Sequence, residues 1–218
     1  MNTLITLVSS ATLETLIMVL SSTFFSLLLG LPLGILLCVT DPAGGITPKP
    51  LLYQVLSRLV NVLRSFPFII LIILLIPLSR IIVGTSIGTT ATIVPLSIAA
   101  APFVARIIET ALKEVDPGVI QAARAMGSTA SQIIFKVLLP EAMPSLVSGM
   151  TLTIINLIGY SAMAGAIGGG GLGDLAIRYG YQRFRSDVML AAVIVILVLV
   201  EVIQVAGSRI AAKLMAKR

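Results

Sequence analysis

Five stretches without a charged side chain stand out along the chain: residues 15–40, 65–79, 81–105, 142–173 and 188–200. A helix that crosses the hydrocarbon layer needs about 20 mostly apolar residues. The second stretch falls short, but Leu59, Val60, Val62 and Leu63 extend it backwards past Arg64, and the fifth continues through Glu201 to Val205. A stripe of period 3.6 is hard to see in them, because they are apolar nearly all round, as buried or lipid-facing helices are. The pattern predicts an all-α, polytopic membrane protein with five transmembrane helices.

Turn chemistry separates the spans. Asp41-Pro42-Ala43-Gly44-Gly45 stops the first helix, and Pro48 and Pro50 prolong the loop. The link at 80–88 is short, whereas that at 106–141 is long and polar enough to be a folded element outside the lipid. Glycines 168–171, with Gly173, open the last connection. No repeat of 20 to 50 residues is present, which excludes a solenoid. One membrane domain over residues 12–205 is expected.

Composition agrees with this pattern. Of 218 residues 57% are hydrophobic and 11% charged, the mean hydropathy is +1.10, and His and Trp are absent. Soluble domains carry about 25% charged residues. The N-terminus lacks a basic region followed by a small-residue cleavage site, so the first apolar run reads as a retained span rather than a removed signal peptide. The lone Cys38 sits in an apolar run and reads as a buried structural thiol. The net charge of +6 is scattered between apolar stretches, as membrane topology requires, which argues for a lipid partner and against nucleic acid.

Charge also predicts orientation. With the N-terminus outside, Lys49, Arg58, Arg64, Arg106, Lys113, Arg124, Lys136, Arg209, Lys213, Lys217 and Arg218 fall on the cytoplasmic side. Arg80, Arg178, Arg183 and Arg185 fall outside, a division of 11 against 4 of the 15 basic residues. The excess of cations belongs on the cytoplasmic side. The expectation is N-out, C-in.

The long cytoplasmic link carries candidate function. Asp116 is a favourable N-cap, Pro117 fits the first helical position, and Gly127 fits the left-handed stop. They enclose a helix of two to three turns, too short to span. Thr129-Ala130-Ser131-Gln132 has the capping-box pattern and starts a second helix, expected to end or kink at Leu139-Pro140. Ala122 and Ala123 side by side suggest a surface that another protein approaches closely. A re-entrant loop or a local cap on the bundle is the alternative.

The order Gln121-Ala122-Ala123, Gly127, Val137 and Leu139-Pro140 resembles the Glu-Ala-Ala loop of bacterial ABC importer permeases. The spacing agrees throughout. Gln121 stands where the family has Glu, and Val137 where it has Ile. The resemblance implies that this loop is the coupling helix, seated in a groove of a separate ATPase subunit. Arg64-Ser65-Phe66-Pro67-Phe68 is similar to the Arg-x-x-Pro segment of amino-acid permeases. Residues 83–88, 101–106, 137–142, 159–163 and 170–173 resemble methionine-importer permeases of the inner membrane. By that resemblance the chain forms a homodimer with two ATPase copies, served by an extracytoplasmic binding protein. Ser161 and Met163 become candidates for the translocation path.

Other constellations point away from chemistry. The glycine run lacks the Gly-x-x-x-x-Gly-Lys-Ser/Thr phosphate loop and no such motif occurs elsewhere, so ATP hydrolysis is expected in another polypeptide. Catalytic residues, metal ligands and cofactors are not expected, because no His/Cys cluster or Ser/His/Asp set is present. Glu201 falls inside the fifth span, where a carboxylate suggests an ion path or an interfacial pairing. Ser145 with Gly149, and Ser161 with Gly165, place small residues on one face of the fourth span, which lets helices pack closely. The reading is a methionine permease. Its alternatives are a permease for another amino acid or small solute, and a self-contained oligomeric channel or secondary transporter, which would need midplane charges or broken helices.

Overall fold

A computed structural model describes residues 2–216. Lys217 and Arg218, counted above among the cytoplasmic cations, lie outside the described residues. The order of elements is α1 (Asn2–Thr40), α2 (Pro50–Ser65), α3 (Phe68–Val83), α4 (Thr89–Lys113), α5 (Pro117–Ala125), α6 (Ala130–Ile133), a π turn (Ile134–Leu138), α7 (Leu139–Gly165), α8 (Gly171–Leu175), a second π turn (Ala176–Tyr181) and α9 (Ser186–Met215). Four runs are long and apolar enough to cross a membrane: α1, α4, α6 through α7, and α9. Helices α2 and α3, bent against each other, make a fifth if taken as one broken span. The all-α fold therefore stands, with four to five candidate spans among the described residues and their boundaries moved.

The first helix begins well before residue 15. Polar residues there do not interrupt it, because their hydroxyls donate back to its own carbonyls: Thr12 to Val8 at 2.7 Å and Thr15 to Ala11 at 3.0 Å. At about 1.5 Å per residue, its 39 residues outrun the hydrocarbon thickness of about 30 Å. The expected extension of the second span past Arg64 is not one continuous helix. Pro67 has an extended ψ of 126° and no amide proton to donate, so α2 ends at Ser65 and a new helix starts at Phe68. Leu59 to Leu63 thus belong to α2.

The fourth span ends at Gly165, not Gly173. Tight turn bonds from Ala166 to Met163 and from Ile167 to Ala164 close the helix, and Gly168 follows at φ +84°. At its other end, the expected stop at Leu139-Pro140 is a change of winding. The Leu139 amide donates five residues back to the Ile134 carbonyl, and this wider turn carries the chain past the amide that Pro140 lacks.

The chain divides into two compact units. One comprises Met1–Ser26, Phe66–Ala100 and Thr153–Val205, and the other Leu27–Ser65, Ala101–Leu152 and Ala206–Arg218. The first unit is centred on buried Met18, Val19, Leu96, Leu157 and Ile158, with a smaller cluster around Leu172 and Val188. Its glycine-rich turn is pinned from α1: the Glu14 carboxylate accepts the Gly171 amide at 2.7 Å, and the Thr15 hydroxyl accepts that of Leu172 at 2.9 Å.

The second unit is centred on Val104, Ile108, Leu112, Ile133 and Leu138, with the free thiol of Cys38 buried beside them. Here α1 lies directly on α4. A Cβ on Gly34 would stand 2.6 Å from the Ala105 carbonyl oxygen, and one on Gly30 would stand 2.8 Å from that of Ala101. In lipid, such small-residue spacing is what lets two helix backbones meet. The small residues of α7 serve packing too, since Gly149 makes room for Ile107 and the Ser145 hydroxyl donates to Glu114 at 2.6 Å.

Candidate functional site

The short helix α5 is fixed at both ends by its own sequence. Asp116 accepts the Gly118 amide on Oδ1 at 2.7 Å, and Pro117 fills the first helical position. At the other end Gly127 adopts φ +78°. There its amide donates to the Arg124 carbonyl at 2.9 Å, and that of Ser128 to the Ala123 carbonyl at 3.1 Å. This pair of bonds satisfies carbonyls that would otherwise be orphaned at a helix end. The expected capping box follows at once. The Thr129 amide donates to Gln132 Oε1 at 2.8 Å and the Gln132 amide to Thr129 Oγ1 at 3.4 Å.

The residues singled out from the sequence divide between two faces. Ala123 is only 3% exposed and sits in the second unit's core with Ile133 and Leu138. Val137 and Leu139 pack half-buried against the same core. Gln121, Ala122, Gly127 and Pro140 are exposed. The two alanines therefore do not form one surface: Ala122 faces outward and Ala123 holds the helix down. Two residues that sequence reasoning passed over, Val119 and Met126, are 41% and 79% exposed. With Ala122 they fall at i, i+3 and i+7, one face of a helix. That spacing was the available signal. Gln121 presents a neutral amide beside this face.

Behind α5 lies a charged cluster that sequence spacing announces only in part. Glu109, 3% exposed, forms ion pairs with Arg106 and Lys113 on its own helix, the latter at 2.7 Å, and accepts the Tyr53 hydroxyl at 3.1 Å. Lys113 also pairs with Asp41 at 2.8 Å. Arg106 reaches α2, donating to the Ser57 carbonyl at 3.1 Å and to Asn61 Oδ1 at 2.9 Å. Two cations and two carboxylates thus balance in a half-buried chain. Burial alone would raise the Asp41 carboxyl's pKa. The Lys113 ammonium and the Ala43 amide outweigh it and hold the group below the ordinary carboxylate value. The i+3 and i+4 spacing of Arg106, Glu109 and Lys113 was legible in the sequence; the partners from elsewhere in the chain were not.

Arg124 closes the site on the inner side of α5. Its guanidinium donates to the Ile46 carbonyl at 2.9 Å, gripping the loop after α1. A cleft of about 540 Å³ lies between that loop and α5, edged by Asp41, Lys113, Gln121 and Arg124. In the other unit, Ser161 is buried and its hydroxyl is engaged by the Ile158 carbonyl at 2.8 Å, whereas Met163 is 51% exposed. Glu201 is exposed on α9.

The model of a protein family described as the binding-protein-dependent transport system inner membrane component matches residues 30–215. The chain belongs to this family. It is accordingly a multi-pass membrane protein, and the family match takes in both α5 and the charged cluster behind it. A Vibrio cholerae protein named as a probable D-methionine transport system permease is 50% identical over 201 residues, covering 92% of this chain and 89% of the relative. A Pasteurella multocida protein of the same name is 49% identical over 205 residues and 94% of each chain. Among solved structures, one of the MetNI methionine ABC transporter in inward-facing conformations aligns with a TM-score of 0.95 at 49% identity, over 98% of this chain and 99% of that one.

Proposed function

We propose that this chain is the membrane permease of an ATP-driven importer and carries methionine across the bacterial inner membrane. The observation that carries the reading is similarity along nearly the whole chain to proteins named as D-methionine transport permeases, at 50% identity over 92% of its length. ATP hydrolysis belongs to a separate subunit. Two ATPase copies, a second copy of this chain and an external binding protein complete the working assembly. The translocating domain occupies residues 12–205, with N-terminus outside and C-terminus in the cytoplasm.

In this reading Gln121, Ala122, Ala123, Gly127, Val137, Leu139 and Pro140 make the coupling element, in two roles. The outward side of α5, with Val119 and Met126 beside Ala122, enters an apolar groove of the ATPase. Ala123, Val137 and Leu139 tie it to the second unit's core, so that a push on α5 is a push on α4 and α7. Binding of ATP to one state of the partner shifts the membrane pair between its two openings. Met163 and Ser161 lie along the path, Met163 offering a pliable apolar contact. A weakly polar path suits a zwitterion with an apolar side chain.

The test is reconstitution. Liposomes holding this chain with its ATPase, supplied with the cognate binding protein, should accumulate methionine only when ATP is present, assayed with both enantiomers. Excess histidine or glutamine should not compete. Preferential uptake of another amino acid would reject methionine and leave the importer class standing. Uptake without any ATPase would favour a self-contained channel or secondary transporter.

A further inference from the structure

The strongest unexplained feature is the charged chain through the second unit. It begins on α5, where Arg124 holds the Ile46 carbonyl. The loop so held is stitched to the end of α1 by amides of Gly45 and Thr47, which donate to the Asp41 and Val39 carbonyls at 2.9 and 3.0 Å. Asp41 spends one oxygen on the Ala43 amide at 3.1 Å and the other on Lys113. Lys113 passes to Glu109, Glu109 to Arg106, and Arg106 to Ser57 and Asn61 of α2.

Every link after the loop is charge-assisted, the stronger kind of hydrogen bond. Glu109 is the hub, since it alone joins both cations and also takes Tyr53. A buried ion-pair chain is poor evidence for added stability, because desolvation offsets the attraction. Directional contacts of this kind set geometry instead. Helix α2 needs such a tie. Its outward face is apolar at Leu51, Val55, Leu59 and Val62, and contact with lipid is not directional.

We propose that Glu109 is a positioning residue that locks α2 to the coupling helix through this chain, so that α2 moves as one piece with α5 when the ATPase pushes. The proposal rests on the permease reading above. It predicts a specific defect: without Glu109's charge, ATP is still hydrolysed, but α2 lags and the transport yield per ATP falls.

The experiment uses the full assembly in liposomes, with uptake and ATP hydrolysis measured together. Glu109→Gln should lower methionine moved per ATP about tenfold. Arg106→Lys keeps the charge but lacks the planar fork that spans Glu109 and α2, and should lower it by several-fold. Asn61→Ala, at an exposed position, should lower it about threefold. Spin labels at Leu52→Cys and Lys136→Cys in a Cys38→Ser background provide the readout that a merely structural role would not move. Their distance should stay single and narrow with and without ATP in the otherwise native chain, and broaden with ATP in Glu109→Gln. Should Glu109→Gln fail to assemble, the Arg106→Lys and Asn61→Ala ratios decide. Native yield per ATP in both, or an unbroadened distance in Glu109→Gln, overturns the proposal. No ATP-driven uptake by the native assembly would instead overturn the permease reading.

Discussion

The Ser128 amide donates to the Ala123 carbonyl at 3.1 Å, and this bond ties the chain leaving α5 to the backbone of a residue whose side chain is buried in the core. It forms because Gly127 between them takes φ +78°. Nothing lies within 4 Å of where a Gly127 Cβ would stand, so any penalty for a side chain there is backbone strain, not collision. That strain is about 1–2 kcal/mol for an ordinary residue and larger for a β-branched one. Gly127→Val should therefore reduce uptake severely while the protein still inserts, and Gly127→Asn, which tolerates this conformation, should retain most of it. Equal uptake by both variants would show that the turn does not matter for coupling.

The division of α5 into two faces separates two kinds of defect. Val119→Asp and Met126→Asp place charge on the exposed side, and should abolish recovery of the ATPase in detergent pull-downs without lowering the amount of folded permease. Ala123→Leu overfills a position that is 3% exposed, at a cost of about 1–3 kcal/mol. It should lower the melting temperature first, and transport only as a consequence. A pull-down insensitive to Val119→Asp and Met126→Asp would move the docking surface elsewhere.

These faces mark how far the sequence could be read. Asp116, Pro117, Gly127 and the Thr129–Gln132 box act within a few residues, so their effects were legible and recur in the structure. Which of Ala122 and Ala123 is buried depends on Ile133 and Leu138 coming back against α5, and local rules do not encode that. The same holds for Glu109: its partners on α4 lie one turn away, but Tyr53 and, through Lys113, Asp41 arrive from other elements. The break at Pro67 was visible as a proline, but apolar composition on both sides hid it. The close contact at Gly30 and Gly34 is hidden in the sequence for the same reason.

Acid should weaken the Asp41–Lys113 link selectively. The Asp41 pKa in the folded chain lies below the ordinary value of 3.8. The pair's contribution is therefore complete above that ordinary value, and is lost as pH falls through the lower, folded one. Because Lys113 is partly exposed, the gain is under about 1 kcal/mol. Asp41→Asn should thus melt slightly below the native chain near neutrality, with the gap closing as pH falls below the ordinary carboxylate value. A gap that persists or grows in acid would exclude the ion pair as its source.

The proposed orientation, with the N-terminus outside, rests on the charge division of 11 to 4 and can be checked on exposed positions. In a Cys38→Ser background, single cysteines at Met126 and Phe184, which are 79% and 89% exposed, report the two sides. A thiol reagent that cannot cross the membrane, added to intact cells, should label Phe184→Cys and leave Met126→Cys untouched until the cells are opened. Labelling of Met126→Cys from outside would overturn both the orientation and the docking of α5 to a cytoplasmic ATPase.

Gly34 tests whether the second unit depends on direct contact between α1 and α4. A Cβ there would stand 2.6 Å from the Ala105 carbonyl oxygen and 2.7 Å from Ile108 Cβ, closer than real Cβ atoms come. Ala105 and Ile108 are fully buried, and the two nearest obstacles are a backbone oxygen and a β-carbon, neither of which swings aside as the end of a long side chain would. Even Gly34→Ala must then push the helices apart, and Gly34→Leu must do so by several ångströms. Lipid offers no compensating hydrophobic drive between helices, so the lost close packing is not recovered by sliding to another register. Gly34→Ala should lower the melting temperature in detergent measurably, and Gly34→Leu should leave little folded protein at all. Leu33→Ala, on the neighbouring position, serves as the control for altered side-chain volume without collision. If Gly34→Leu is recovered folded in native amounts, α1 and α4 do not meet at this glycine and the centre of the second unit is packed differently.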